Sequence, residues 1–578
     1  MSLTLPSDVF QLVQPSEINL SPSVRDIIVS SDFHKALEEL RKGRAFLPAE
    51  GFSKERESAS EVKAIAAKRK LKSGYNLPAK LFFSFWADLA AFCAPGTALA
   101  WQGLVERLCR TSIGECLMKD LLVEHCPEAG FSALFERLET EDPHAIYPTS
   151  LYRDSEGSVT WSADERTIHG VMNTSTMTEI QIVEDVLNPS SSILQKVYQP
   201  LGRCVAVVDE RVADLYGKDL RAYFRYHNVK LQIKEYRAME VDKGIRTVER
   251  MMGDFKQLGV SRNEPVLVIG GGVLADTAGL ACALYHRNTP YVMLSTSIVS
   301  GIDAGPSPRT CCDGFGYKNL FGAYHAPILA ITDRTFFKTL RPGWLRHGVA
   351  EIVKMAVVKD ERLFKMLEEG GSSLLETHFG ASATTAEENQ RGQQVIAAAM
   401  RCYVEAEYGN LYETHQCRPH AYGHTWSPGF EIPAGMLHGH AVGCGMGYGA
   451  YLSFREGWIT ADEMDRIHRL ISNFGLSLYH PVMDEQAVVV DAQQKMVQKR
   501  GGNLAAPIPK GGIGSCGYLN DLSFSELRQT LDAYKERCQE YPREGLGIEA
   551  HCSDVGLEDP SETGSEMPDN VEPLPKIA

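Results

Sequence analysis

The stretch EPVLVIGGGVLADTAGLACALYHR, residues 264–287, decides the fold. Val266 to Ile269 form an apolar run of strand length, three glycines follow, and the residues from Leu274 onward have helical composition. Gly270-Gly271-Gly272-Val273-Leu274-Ala275 fits G-x-G-x-x-[GA], placed between that strand and that helix. Glycines at such a turn let backbone N–H groups at the positive helix end approach a pyrophosphate. The pattern alone also describes an ordinary turn. Its strand–turn–helix setting favours a dinucleotide site.

Strand signatures lie on both sides of this unit. TEIQIVEDV (178–186), GRCVAVVD (202–209), VKLQIKEYRA (229–238), PYVMLST (290–296) and APILAITD (326–333) read as strands, with a helical pattern in IRTVERMMGDFKQLGV (245–260). Such alternation predicts an α/β protein with a doubly wound parallel sheet. Beyond about residue 335 the strand signals fade and helical patterns take over. The expected organisation is a Rossmann-like NAD-binding domain at 166–336 followed by an all-helical metal-binding domain at 337–545. A mostly helical N-terminal extension, 1–165, carries no recognisable chemistry, and 546–578 reads as an acidic disordered tail. Within the extension, 53–74 suggests a charged exposed helix and 82–101 a buried helix pair. Asp88 and Pro95 speak against a membrane span in the second of these.

The chain of 578 residues has a formal net charge of −15, which argues against a nucleic-acid partner. Its opening, MSLTLPSDVFQLVQ, lacks the basic-then-apolar pattern of a secretory signal. The 14 cysteines include no CxxC pair, and Cys311 and Cys312 are adjacent. A reduced, cytoplasmic protein without membrane attachment is expected.

Three sets of residues suggest chemistry. Asp209, closing a strand, suits a ribose hydroxyl or, equally, a helix cap. Glu351, His424 (AYGHTWSPG) and His438 (LHGHAV) would suit a divalent ion with an open coordination position, although His420 and His440 stand as alternatives. Asp303, Arg309, Lys318 and Asn319 lie in a Gly- and Pro-rich stretch that suits a phosphate dianion or, more commonly, a solvated loop.

These signals occur in a familiar order. GGGVLADTAGLACALYHRNTPYVMLSTSIVSGIDAG, KNLFGAYHAP, GVAEIVK, GHT and LHGHAV resemble the 3-dehydroquinate synthase-like family, the sugar phosphate cyclases, over about 170–545. The resemblance implies Glu351, His424 and His438 as ligands of Zn²⁺ or Co²⁺. It implies Gly270, Gly271, Gly272 and Asp276 at the pyrophosphate turn, with Asp209, Glu240 and Lys243 on the adenosine half of NAD. Arg287, Asp303, Arg309, Lys318, Asn319 and Lys354 become substrate-pocket positions, Lys499 aligns with a further phosphate-binding lysine, and a homodimer is implied, with Arg287 acting across its boundary.

Departures from the dehydroquinate synthase pattern point to a branch. Arg309 replaces a lysine, Pro428 replaces the second histidine of GHTxGH, and HGE becomes His438-Gly439-His440. Cys417 and Ala421 stand where an arginine and an asparagine are expected, which argues against a substrate carboxylate. The string AYGHTWSPGFE resembles the branch acting on sedoheptulose 7-phosphate. IDAG (302–305) and SPGFE favour its 2-epi-5-epi-valiolone synthase type over its desmethyl-4-deoxygadusol synthase type. The implied reaction oxidises a hydroxyl transiently on NAD, eliminates phosphate, returns the hydride, and closes the ring by an intramolecular aldol step. A metal-dependent NAD polyol dehydrogenase is the rival from another class. It would need no phosphate cluster.

Overall fold

The computed structural model describes residues 153–557 apart from 164–165, 263, 316 and 414–417. The stretches 53–74 and 82–101 and the end of the acidic tail lie outside the described residues. Contacts divide the chain into two units after Met177. In the first unit, β1 (Arg153–Trp161) and β2 (Ile168–Thr176) form an antiparallel hairpin, from Arg153 opposite Thr176 to Trp161 opposite Ile168. The hairpin spans residue 165, the expected border of the N-terminal extension, and residues 153–161 of that extension are a strand.

In the second unit, β3 (Glu179–Val183), β4 (Arg203–Asp209), β5 (Lys230–Tyr236), β6 (Val266–Gly270), β7 (Tyr291–Ser295) and β10 (Leu329–Asp333) form one sheet of order β3-β10-β7-β6-β4-β5. Every pairing in it is parallel. The sheet order reverses direction around β6 and β4, so the crevice at their carboxyl ends is where a ligand is expected. Both strands are continuous apolar runs because helices cover both faces: Val205, Val207 and Val268 pack with Leu274, Ala278 and Val248. Helix α1 (Glu210–Tyr226) is capped by Asp209, α2 (Ile245–Gln257) follows β5, and α3 (Gly272–Leu284) starts in the glycine turn.

The Gly- and Pro-rich stretch expected to be loop is instead a hairpin, β8 (Arg309–Gly314) with β9 (Tyr317–Tyr324). Its strand character was hidden because Gly314, Gly322 and adjacent polar residues break the alternation of a half-buried strand. Before it, Ser300–Ala304 forms a π-turn that carries Asp303.

The following half is built on α4 (Pro342–Val358), α5 (Glu361–Gly370), α6 (Ala386–Tyr408), α7 (Pro428–Ala434) and α8 (His438–Arg455). Its core joins Val349, Ile352, Val353 and Ala356 of α4 to Ile396 and Ala399 of α6 and to Ala441 and Val442 of α8. A short strand pair, Ala506–Pro509 with Cys516–Leu519, makes it less than all-helical. The tail expected from 546 is structured to Leu557: Leu437 N–H donates to Ala550 C=O at 2.9 Å and Cys552 N–H to Gly435 C=O at 2.8 Å. This segment straps the loop that leads into His438.

Candidate active site

Helix α4 buries Glu351 and Lys354 one turn apart, at 1% and 2% exposure. Their carboxylate and ammonium form an ion pair, and Lys354 Nζ lies 5.0 Å from the centre of the Tyr403 ring. The Tyr403 hydroxyl donates to Glu351 Oε2 at 2.6 Å. The other oxygen, Oε1, is buried without a hydrogen-bond partner. It faces His438 Nε2 at 3.3 Å and His424 Nε2 at 3.7 Å. An unpartnered buried carboxylate oxygen is costly unless something charged meets it.

The two imidazoles are turned by their neighbours. His424 follows Gly423, whose φ of +80° suits glycine, and a Cβ there would meet Val442 and Met446 of α8 at 2.9 Å. His424 Nδ1 meets Tyr422 C=O at 3.0 Å, which leaves Nε2 to face Glu351. His438 Nδ1 meets Glu431 Oε1 at 2.9 Å, with the same consequence. Ligand atoms of Glu351, His424 and His438 all lie within 4.8 Å of one another. One carboxylate and two imidazoles aimed at one point, each held from behind, fit a divalent cation. Against its burial, Glu431 and Glu351 hold the His438 imidazolium up to about 10. A positive charge is therefore favoured where a cation would sit. His440 and His420 stand outside this group: His440 Nδ1 meets Ser477 Oγ at 2.9 Å, and His420 neighbours Glu413.

The substrate-pocket candidates separate. Lys318 and Asn319 sit on β9; Lys318 Nζ reaches Glu431 at 2.6 Å and Glu240 at 2.9 Å. Lys243 Nζ reaches Asp276 at 2.7 Å and Asn319 Oδ1 at 2.8 Å. Glu240 and Lys243, which the resemblance assigns to NAD, thus stand between the two sets: Lys243 joins Asp276 of the glycine turn to Asn319, and Glu240 meets Lys318. Asp209 accepts from the N–H groups of Arg211 (2.9 Å) and Val212 (3.3 Å), both at Oδ1, which is the helix-cap reading. Asp303 is pushed up to about 7 by burial and by the Glu407 carboxylate, against Lys354 and Arg309. Arg309 pairs with Glu407 and lies 3.5 Å from Asp303 and from Glu413. Arg287 is exposed, between His286 and Asn288 in a run of positive φ, and no hydrogen bond or ion pair ties it to the pocket among the described residues.

Glu431, Tyr403, Glu407 and Arg418 escaped the sequence reading. Glu431 had a signal, standing seven positions from each histidine, whereas Tyr403 and Glu407 lie on a helix with no motif around them. Arg418, one position after Cys417, pairs with Glu413 at 2.7 Å, so an arginine is present out of register. Cys417 lies outside the described residues.

The glycine turn is built as a cradle. A Cβ on Gly271 would come no nearer than 3.6 Å to other atoms, and one on Gly272 no nearer than 3.7 Å. Both residues have negative φ. Neither conformation nor packing demands glycine there, so the open space above the start of α3 fits the close approach of a dinucleotide.

The 3-dehydroquinate synthase N-terminal family matches residues 234–347 and its C-terminal counterpart residues 348–497. Demethyl-4-deoxygadusol synthase of Trichormus variabilis is 38% identical over 375 residues, 64% of this chain and 91% of that one. A 2-epi-5-epi-valiolone synthase of Streptomyces albus is 34% identical over 364 residues, 62% and 88% of the respective chains. The solved 2-epi-5-epi-valiolone synthase of Streptomyces hygroscopicus, with NAD⁺ and Zn²⁺ bound, is 32% identical with a TM-score of 0.59, covering 63% and 98%. A 2-deoxy-scyllo-inosose synthase, 18% identical with a TM-score of 0.52, shares the fold over 65% of this chain and 99% of its own. This chain belongs to the 3-dehydroquinate synthase-like family of sugar phosphate cyclases. No helix among the described residues is long and apolar enough to cross a membrane.

Proposed function

We propose that the protein is a carbon–oxygen lyase that cyclises sedoheptulose 7-phosphate, using NAD and a divalent metal, Zn²⁺ or Co²⁺. The observation that carries this reading is the convergence of Glu351, His424 and His438 beside Lys354, with Lys318 reaching the same group of residues through Glu431. When bound, NAD supplies reversible hydride acceptance and the metal polarises the flanking oxygens of the substrate. The chain supplies the rest. Lys354 points an Nζ–H donor at the oxygens beside Glu351. Asp303, near 7, can take and return a proton close to neutrality. Lys318 and Asn319 orient the phosphate, and Arg287 is assigned to the same phosphate across a homodimer boundary. Asp209, Glu240, Lys243 and Asp276 are assigned to NAD.

The polyol dehydrogenase reading makes no use of Lys318, which two carboxylates hold at the pocket. For the product, IDAG and SPGFE support 2-epi-5-epi-valiolone, and the 38% identity to a demethyl-4-deoxygadusol synthase supports the more dehydrated product. Cys204, Cys311, Cys312, Cys402, Cys444 and Cys538 carry free thiols, in keeping with a cytoplasmic setting.

Purified protein incubated with sedoheptulose 7-phosphate, NAD and Zn²⁺ or Co²⁺ should release phosphate. The mass of a valiolone assigns the first product, and a mass lighter by one water assigns the second. A metal-loaded, NAD-bound protein that releases no phosphate would refute the reading.

A further inference from the structure

Glu431 is 4% exposed and lies in α7, seven positions after His424 and seven before His438. Its two oxygens are divided between two tasks. Oε1 meets His438 Nδ1 at 2.9 Å. Oε2 accepts from Lys318 Nζ at 2.6 Å. His438 belongs to the helical half and Lys318 to the β8–β9 hairpin that follows the nucleotide-binding strands. One carboxylate therefore joins the metal-ligating corner to the lysine opposite it.

We propose that Glu431 is a positioning residue that sets the tautomer of His438 and aims Lys318. An imidazole that donates Nδ1–H to a carboxylate presents a bare lone pair at Nε2, and the carboxylate makes that nitrogen a better ligand. His438 Nε2 is the atom that faces Glu351 Oε1 at 3.3 Å, so the orientation enforced by Glu431 is the one a cation needs. Lys318 is a flexible four-carbon side chain, and the bonds to Glu431 and to Glu240 at 2.9 Å fix where its ammonium ends. Two carboxylates, Glu240 and Glu431, thus share the one Lys318 ammonium. The histidine half of the inference stands on geometry alone. The lysine half rests on the cyclase reading, because only that reading gives Lys318 a phosphate.

Glu431→Gln tests it, with Lys318→Met as the comparison, both on full-length NAD-loaded protein. Zn²⁺ affinity, read by competition with a chromophoric chelator, should fall about 10–100-fold in E431Q. It should stay within about threefold of the parent in K318M. NAD affinity and the melting temperature of the metal-free protein should match the parent in both variants. KM for the ketose phosphate should rise in K318M and in E431Q, and the two effects should combine less than additively in the double variant. Unchanged Zn²⁺ affinity in E431Q would overturn the proposal. So would a fall in Zn²⁺ affinity that is matched by losses of NAD affinity and melting temperature, since that marks a packing role. A parent that releases no phosphate removes the cyclase reading and the lysine half with it, while the Zn²⁺ titration still decides the histidine half.

Discussion

Arg309, the first residue of β8, pairs with Glu407 near the end of α6, and Ser307 Oγ donates to the second oxygen of that carboxylate at 2.8 Å. Asp303 and Glu413 lie 3.5 Å from the same guanidinium. A cation met by three carboxylates is not available to a carboxylate on a substrate. An acidic seven-carbon ketose phosphate should therefore not be turned over. In Glu407→Gln, an analogue carrying that carboxylate should bind at least about tenfold more tightly than to the parent, the smaller end of a charge-assisted hydrogen bond. Equal inhibition constants for the two proteins would show that Arg309 does not face the ligand.

Tyr403 donates to Glu351 Oε2 at 2.6 Å and so turns the other carboxylate oxygen towards the two histidines. Tyr403→Phe keeps the ring and its packing. It should lower Zn²⁺ affinity by about tenfold and leave NAD affinity unchanged. Glu351→Gln should lose the metal far more completely, and adding Zn²⁺ to chelator-treated parent, but not to E351Q, should restore activity. A Y403F protein that binds Zn²⁺ as the parent does would remove the tyrosine from the site.

At Gly272 an added methyl fits the protein, its nearest neighbour being 3.7 Å away, but occupies space above the helix start. Gly272→Ala should keep the parental melting temperature to within a few degrees and weaken NAD binding at least about tenfold, read by fluorescence quenching. A variant that binds NAD normally would place the pyrophosphate elsewhere.

His468 is fully buried; Nε2 lies 2.9 Å from Gly447 C=O, and burial pulls the imidazole down to about 4. The unfolded chain, with an ordinary histidine near 6.5, takes up the proton first. Stability tied to this group is complete above pH 6.5 and drains away as pH falls towards 4, by up to about 3 kcal/mol. Urea unfolding of the metal-free protein between pH 7.5 and 5 should show this loss, and His468→Gln should flatten the slope by about one proton. A slope unchanged in that variant would assign the acid sensitivity to other buried histidines.

The parallel sheet was legible because its strands are buried on both faces and so read as unbroken apolar runs, as in Val205–Val208 and Val266–Ile269. The glycine turn was legible because it is local. The β8–β9 hairpin was not, since its glycines and polar residues take their strand conformation from pairing rather than from pattern.

The sequence by itself determined the order of elements and set out Glu351, His424 and His438 as candidates, with His420 and His440 beside them, because periodicity and motif are properties of neighbouring residues. Only the tertiary structure decided which nitrogen of each histidine faces Glu351, that Lys243 joins Asp276 to Asn319, and that Arg309 is neutralised by Glu407. It also folded residues 546–557 against the loop before His438. The ion pairs among these join charges far apart in the chain, as Lys318 meets Glu431 at 2.6 Å, and the last is held by backbone hydrogen bonds; in a buried setting such bonds outweigh local preference.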